Sequence, residues 1–579
     1  VPQAGRIEVI KGPGSALYGS DSIGGIINAI TRPSPREAEF EINPEIGSDG
    51  WRRLLATTGA PLGANSGFRL DLNLTDNTGF RDASDYSRYA TTARLDGFLG
   101  DHTTHKTILS YTQVDQSGVS GLEAADYFAR STKNFYHGDV GRREVDALRL
   151  STEFVYEPNA ISQLRLTPFV RDNQMKLMPS WMLSYDPNDR DYQFQSYGLM
   201  AQYRHKLPER QLEWIAGIDI DHSPSTYQEI RLATTQVSGI YTDTTATGRI
   251  NYDFSADQLS VSPYVHGQWQ ASDRLSLSSG LRYDYFYVDY QDRLAASVAQ
   301  RQAGFGGFTH LRPASQDLSW DHASPKLGVV YALSAAHSAY ANYHHSFRVP
   351  STGELFRAGS STNTTELQPV KTDSVEIGMR GQGFGWINYD LAVYHMDIKD
   401  DIVSYIDTVS NDRKVTNAGK TRHQGIEIAL GGELSAQWSV QTAWSVSRQK
   451  YIEYTALFGF PTTQINYAGK AVGKAPKTLG NLSVQFKPTA LQGLRLEAEW
   501  EHLGRYHTDE TNTQQYDGHD LLNLRANYAL SPKLELYGRI INVTDRRHST
   551  YTSNQVGDPD LEYRPGLSRS YFLGLKAKF

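Results

Sequence analysis

The chain has 579 residues, no cysteine, 57 basic against 64 acidic residues and a net charge of −7. Without cysteine there are no disulfides, thiolate metal sites or cysteine nucleophiles, and a charge balance lacking any basic run speaks against nucleic-acid binding. Mean hydropathy is −0.51 and no run of 18 apolar residues occurs, so no transmembrane helix is predicted; a transmembrane β-barrel stays open, because only alternate residues of its strands are apolar.

The first element is a strand in which Ile7, Val9 and Lys11 alternate with Arg6, Glu8 and Ile10. Gly12-Pro13-Gly14 ends it, since two glycines free the backbone and the proline fixes φ and donates no hydrogen bond. Ser15 to Gly19 reads as a compact turn and Ile26 to Ile30 as a second, strongly apolar strand. No Gly-Lys-Ser/Thr follows the turn and no helical pattern opens after it, which excludes a phosphate-binding loop.

The order Arg6-Ile7-Glu8-Val9, Gly12-Pro13-Gly14-Ser15 with Tyr18-Gly19, and Gly24-Gly25-Ile26-Ile27-Asn28-Ala29-Ile30-Thr31 resembles the C-terminal part of the plug domain of TonB-dependent outer-membrane receptors. The resemblance implies that residues 1–36 are a plug remnant inside the lumen of a barrel formed by residues 37–579. Its motif positions here are Arg6, Glu8, Gly12, Pro13, Ser15, Tyr18, Gly19, Gly24, Gly25 and Asn28. Arg6, Glu8, Lys11 and Arg32 are expected to pair with the polar barrel wall. The chain begins Val1-Pro2-Gln3-Ala4 with neither initiator methionine nor signal peptide; the expectation is that the front of the plug and the segment that meets TonB lie outside it.

After Pro33 and Pro35, period-2 alternation recurs to the end of the chain. Phe68, Leu70, Leu72 and Leu74 alternate with Arg69, Asp71 and Asn73, and Leu275 to Tyr287 forms the longest such run. Leu494 to Trp500 and Leu522 to Leu530 repeat the pattern. An apolar face against lipid and a charged face lining a wet lumen explain it, and 35 tyrosines and 9 tryptophans suit aromatic girdles at the two interfaces. Spreading the residues after the linker over 22 strands leaves roughly 25 for each strand and connection. The predicted fold is therefore all-β, a 22-stranded antiparallel transmembrane β-barrel with a partial plug. The alternating terminal run to Phe579 resembles the insertion signal of outer-membrane barrels. Ile541-Asn542-Val543-Thr544-Asp545, Arg564-Pro565-Gly566 and Asn417-Ala418-Gly419 resemble further family segments.

No Gly-x-Ser-x-Gly elbow, His-Glu-x-x-His or EF-hand loop is present, so no enzyme is predicted. His344 and His345, in a segment similar to the Phe-Arg-Ala-Pro box of these receptors, sit on successive strand positions and point to opposite faces. Arg348 follows in the same box. Met175, Met178 and Met182, with Trp181 and Tyr185, crowd into one predicted loop, which suits packing, an organic ligand or copper. Tyr18 at the plug turn joins Met178, Trp181, Met182, Tyr185, His344, His345 and Arg348 as candidate ligand contacts. Tyr127, Phe128, Phe135, Tyr136, Phe305 and Phe308 are loop aromatics able to stack on a flat chelate.

The resemblance implies active import of a metal chelate across the outer membrane of a Gram-negative bacterium, with a ferric siderophore first. Haem (weakened by the absence of histidine from Ser351 to Thr365), cobalamin, copper or another metallophore and a carbohydrate stay open, as does a passive porin-like or adhesin barrel. The implied partners are TonB, which supplies the work, outer-membrane lipid and lipopolysaccharide. A monomer with no resident cofactor or metal is expected.

Overall fold

The computed structural model describes residues 4–294, 300–301, 309–406, 413–458, 463–554 and 559–579. Phe305 and Phe308 lie outside these residues. From Glu39–Gly47 to Ser570–Lys578, 22 strands each pair antiparallel with their sequence neighbours, and the first closes on the last. Closure removes the sheet edge, which is how a sheet satisfies its backbone in lipid.

Alternation decides the faces. In the strand Leu275–Asp292, Leu281, Tyr283 and Tyr285 are exposed to the surroundings while Arg282 and Asp284 are buried on the lumen side. Short connections gather at one rim, such as Pro208–Arg210 and the turns between Gly383 and Ile387 and between Ser531 and Leu534. Long loops, including 118–141, 349–369 and 542–569, gather at the other. The hairpin Leu212–Val237 and Ile240–Gln270 has strands of 26 and 31 residues. About 9–11 suffice to cross a bilayer, so its upper half stands beyond the membrane and forms one wall of the mouth.

Inside the lumen lies a separate antiparallel pair, β1 (Ala4–Lys11) and β2 (Gly25–Thr31), joined through the single helical turn α1 (Ser15–Tyr18). Gly19 closes α1 with φ +75°, and a Cβ there would come within 3.3 Å of Arg282 and Asp284 of the wall; both reasons call for glycine. Lys11 Nζ meets Glu427 at 2.5 Å, and Arg32 Nη2 reaches Asp71 at 3.1 Å and Thr57 at 3.0 Å. Arg6 and Glu8 do not reach the wall: they pair with each other at 2.5 Å, and Asn28 donates to Glu8 at 3.2 Å. The reason is position, since both lie on the face of β1 opposite Val9 and Lys11, and Lys11 is the one that reaches the wall. Val9 and Ile27 are 63% and 75% exposed, so one face of the hairpin is bare. A cavity of about 600 Å³ separates the hairpin from the wall at Ser374, Glu376, Tyr394 and Met396.

Candidate ligand-binding mouth and lumenal gate

At the wide rim the chain turns inward after Arg348. Ser351-x-x-Glu354 starts the short helix Thr352–Phe356 as a reciprocal cap: Glu354 N–H donates to Ser351 Oγ (3.3 Å) and Ser351 N–H to Glu354 Oε2 (2.8 Å). Arg348 grips both Glu354 oxygens at 2.7 and 3.1 Å. Burial pushes the Glu354 carboxyl up, but the hydrogen bonds from Arg348 and Ser351 outweigh it and hold the group below its ordinary range. The helix thus delivers Phe356 onto Tyr290, stacked at 4.0 Å, beside Phe254 and Tyr252. Trp320 Nε1 donates to the Leu367 carbonyl at 3.0 Å and pins the return of the same loop.

Above this aromatic floor four loops and strands meet in a charged knot. Glu229, fully buried, accepts from Arg357 Nε (2.6 Å), Tyr227 Oη (2.8 Å) and Asn251 Nδ2 (3.1 Å). Asp186 lies 3.2 Å from His310 Nε2 and 3.6 Å from Arg357, and Arg190 lies 3.4 Å from Glu229. Burial raises the Asp186 carboxyl, yet His310, Arg357 and Arg190 together hold it below its ordinary range. Ligand atoms of Asp186, Glu229 and His310 fall within 4.8 Å of one another, a spacing that suits a metal. Two guanidinium groups already match the two carboxylates, however, so the knot ties loops together rather than offering free ligands.

The sequence-predicted contacts do not converge on one point. Trp181 and Tyr185 are 55% and 38% exposed in the loop before Asn188. Met182 is buried and its Sδ accepts from Arg190 at 2.8 Å; Met178 Sδ accepts from Gly141 N–H at 3.4 Å. Met175 belongs to the strand Ser162–Leu177, opposite Tyr192, so the three methionines are not one loop cluster: barrel pairing extends past the expected strand end. Tyr18 is half-exposed on α1, deep in the lumen. Arg348 is committed to Glu354. Tyr127 and Phe128 pack against Tyr563, the former stacked at 4.2 Å, as part of a core that joins outer loops. Phe135 carries Lys133 over its ring at 4.5 Å, and Tyr136 packs against Tyr241.

His344 and His345 do diverge. His344 registers with Lys326 and Ser374. His345 Nδ1 lies 2.7 Å from Asp373 and its Nε2 2.9 Å from His322 Nε2, an Asp–His–His line. These two rings meet because the strands Gln316–Ala332 and His337–Arg348 stop pairing beyond Lys326 and His344. Into that seam fits α1: Phe347 N–H donates to Ser15 Oγ (3.3 Å), Ser15 N–H to Ser346 Oγ (3.0 Å) and Asp21 N–H to the Phe347 carbonyl (3.2 Å).

Of the residues that sequence reasoning passed over, Ser351-x-x-Glu354 carried a readable capping signature. Glu229 and Arg357 carried none, being 128 positions apart.

Comparison with known proteins agrees with this architecture. A family model described as TonB dependent receptor-like, beta-barrel, matches residues 43–543. The catecholate siderophore receptor Fiu of Escherichia coli O157:H7 is 21% identical over 647 residues, covering 99% of this chain and 80% of that protein. The metal-pseudopaline receptor CntO of Pseudomonas aeruginosa PAO1 is 22% identical over 608 residues, with the same coverage of each. Among solved structures, the siderophore receptor PiuA from Acinetobacter baumannii superposes with a TM-score of 0.81 at 16% identity, covering 100% of this chain and 86% of that one.

Proposed function

This chain belongs to the TonB-dependent receptors, outer-membrane proteins of Gram-negative bacteria, and on that premise we propose that it imports a ferric siderophore. The observation that carries the reading is a closed barrel whose lumen holds a hairpin stitched to the wall beneath a mouth of inward-folded aromatic loops. Likeness to proteins named as siderophore receptors supports the cargo class.

The cargo docks in the mouth, where exposed Trp181 and Tyr185 offer flat apolar contact and the rim offers polar groups. TonB then applies a pull at the N-terminal end of β1. The stitches that resist it include Lys11 to Glu427, Arg32 to Asp71, Arg94 to Thr31, Ser34 to Asp96, and α1 to the Phe347 seam. Each is an ion pair or a hydrogen bond rather than a packed apolar interface, so the hairpin rearranges while the 22-strand ladder stays intact. Residues 1–36 thus serve as the gate and 37–579 as the conduit, acting as a monomer in outer-membrane lipid. No chemical change of the cargo is assigned to the protein, and its part is transport alone.

Growth and radiolabelled-iron uptake test this directly, in cells with the gene, without it, and without TonB, across purified siderophores and haem. Loss of uptake of one ferric chelate in both deletions supports the reading; unchanged uptake of every iron source refutes it. Likeness to CntO favours, as a second reading, a metallophore loaded with another metal, which the same assay with other radiometals separates.

A further inference from the structure

The barrel wall is split over part of its height. The strands Gln316–Ala332 and His337–Arg348 pair from Ala332 opposite Ser338 up to Lys326 opposite His344 and no further. The next position is Pro325, which has no N–H to give and so ends the ladder. Above it, the edge at residues 346–349 is served by the lumenal turn instead. Ser15 N–H donates to Ser346 Oγ at 3.0 Å, Phe347 N–H to Ser15 Oγ at 3.3 Å, Asp21 N–H to the Phe347 carbonyl at 3.2 Å and Val349 N–H to Ser20 Oγ at 3.1 Å. The turn thus takes the place of a neighbouring strand.

A side-chain bond crosses the split from wall to wall. His322 Nε2 lies 2.9 Å from His345 Nε2, with the ring planes 18° apart and the centroids at 5.0 Å. The rings therefore meet end to end, each nitrogen aimed at the other, which is a hydrogen bond; a shared metal would need the two lone pairs to converge at an angle. His345 Nδ1 lies 2.7 Å from Asp373, which also accepts from Tyr343 Oη at 2.9 Å and Lys399 Nζ at 2.8 Å. Facing that ammonium, the Asp373 carboxylate takes the Nδ1–H of His345 and leaves Nε2 as an acceptor, so His322 is the donor. The His322 ring also rests 4.3 Å from the fully buried Phe347 ring. The other charged or titratable groups around the pair are Asp321 and Lys371 beside His322, Asp284 opposite it and bound to Arg282 at 2.8 Å, Lys326 and His344 at the foot of the split, and Asp21 on the turn.

We propose that His322 and His345 form a proton-operated latch, which holds the split closed at neutral pH and releases the lumenal turn in acid. A first added proton enters at His322 Nδ1 and leaves the Nε2–H···Nε2 bond in place. A second, on His345 Nε2, puts a hydrogen on both facing nitrogens, removes the lone pair between them and sets two cations end to end. The latched state therefore binds one proton fewer than the open one, and falling pH favours opening. Like charge places the second uptake below the ordinary histidine value of about 6.5. That release loosens the gate rests on the hairpin being the gate; the latch itself does not.

The test is hydrogen exchange of the full chain in detergent, read at residues 15–21 and 346–349 as protection relative to free-peptide rates between about pH 7.5 and 4.5. Wild-type protection is expected to fall about tenfold across that range, one hydrogen bond's worth, while strands remote from the split keep theirs. His322→Phe keeps a ring against Phe347 but carries no proton, and should give a lower, pH-independent level. His337→Gln, at the narrow rim where His337 Nδ1 meets Tyr389 at 2.7 Å, should keep the wild-type fall. A flat wild-type profile, or the same fall in His322→Phe, overturns the proposal. Heat-modifiable migration checks folding, and His322→Gln replaces the phenylalanine variant if that one misfolds. Because the readout is local and needs no cargo, it succeeds or fails independently of the uptake assay.

Discussion

Ser15 and Phe347 are 332 residues apart, yet the Phe347 N–H donates to the Ser15 hydroxyl at 3.3 Å and the hydroxyl lies 3.5 Å from the Phe347 carbonyl. A lumenal side chain thereby completes the backbone bonding of a barrel strand where that strand has lost its neighbour. Both residues are fully buried, and buried backbone groups need partners. The lumenal hairpin and the wall therefore share a seam.

Ser15→Ala removes that partner and leaves the Phe347 N–H unsatisfied, at a cost of about 1–3 kcal/mol to docking of α1. Hydrogen exchange at residues 15–21 and 346–349 should accelerate, while strands remote from the seam keep their protection. Unchanged exchange at Phe347 would show that the hydroxyl is dispensable.

Gly19→Val should be worse, because it adds a β-branched side chain at φ +75° and pushes a Cβ towards Arg282 and Asp284. The backbone penalty alone is about 1–2 kcal/mol. Limited proteolysis within residues 12–25 reads the outcome: faster cleavage is expected, and wild-type resistance would contradict the account.

Glu229→Ala leaves the half-buried Arg357 guanidinium without its main partner, a loss of about 1–3 kcal/mol in local stability. The aromatic stack of Phe356 on Tyr290 should loosen with it, since Arg357 is the next residue in the chain. Near-ultraviolet circular dichroism of the tyrosine and tryptophan bands would register the change. Arg357→Lys, which keeps charge but not the fork, should recover only part of it.

The mouth helix should be acid-labile. Glu354 is held below its ordinary value of 4.5, so its contribution is complete above that pH and is lost as pH falls beneath it. Asp509, whose carboxyl is buried but takes hydrogen bonds from Thr513, Thr511 and Asn554, is held down to about 2. Its loop should keep its stability from neutral pH to about 3.8 and lose it on approach to 2. Hydrogen exchange against pH should show residues 351–356 weakening before 508–514, and Glu354→Gln should flatten the first transition.

If the mouth takes the cargo, Trp181→Ala should weaken binding of the ferric siderophore singled out by the uptake assay about tenfold, the loss of one aromatic contact. Fluorescence quenching titration measures this, with Trp438→Phe at the narrow rim as a control expected to bind as the wild type does.

The alternation of apolar and polar residues determined much of this protein by itself. It specified a membrane barrel, the inward side of Arg69, Asp71 and Asn73, and the opposed directions of His344 and His345, because side-chain direction in a strand is set by the backbone period of two. The glycine-proline block likewise fixed a strand, a turn and a second strand, since φ restrictions act within a few residues. What alternation could not say was which distant groups would meet. The end of barrel pairing at Lys326 and His344, the entry of α1 into that seam, and the meeting of Asp186, Glu229, His310 and Arg357 follow from loops folding inward over a closed ring. Met175 passed for a loop residue because hydrogen-bonded pairing, not polarity, decides where an extramembrane strand ends. Alternation is a local property carried by adjacent residues; the knot and the seam depend on contacts such as Glu229 with Arg357, 128 positions apart, and Ser15 with Phe347, 332 apart, and only closure of the barrel brings these within hydrogen-bond reach.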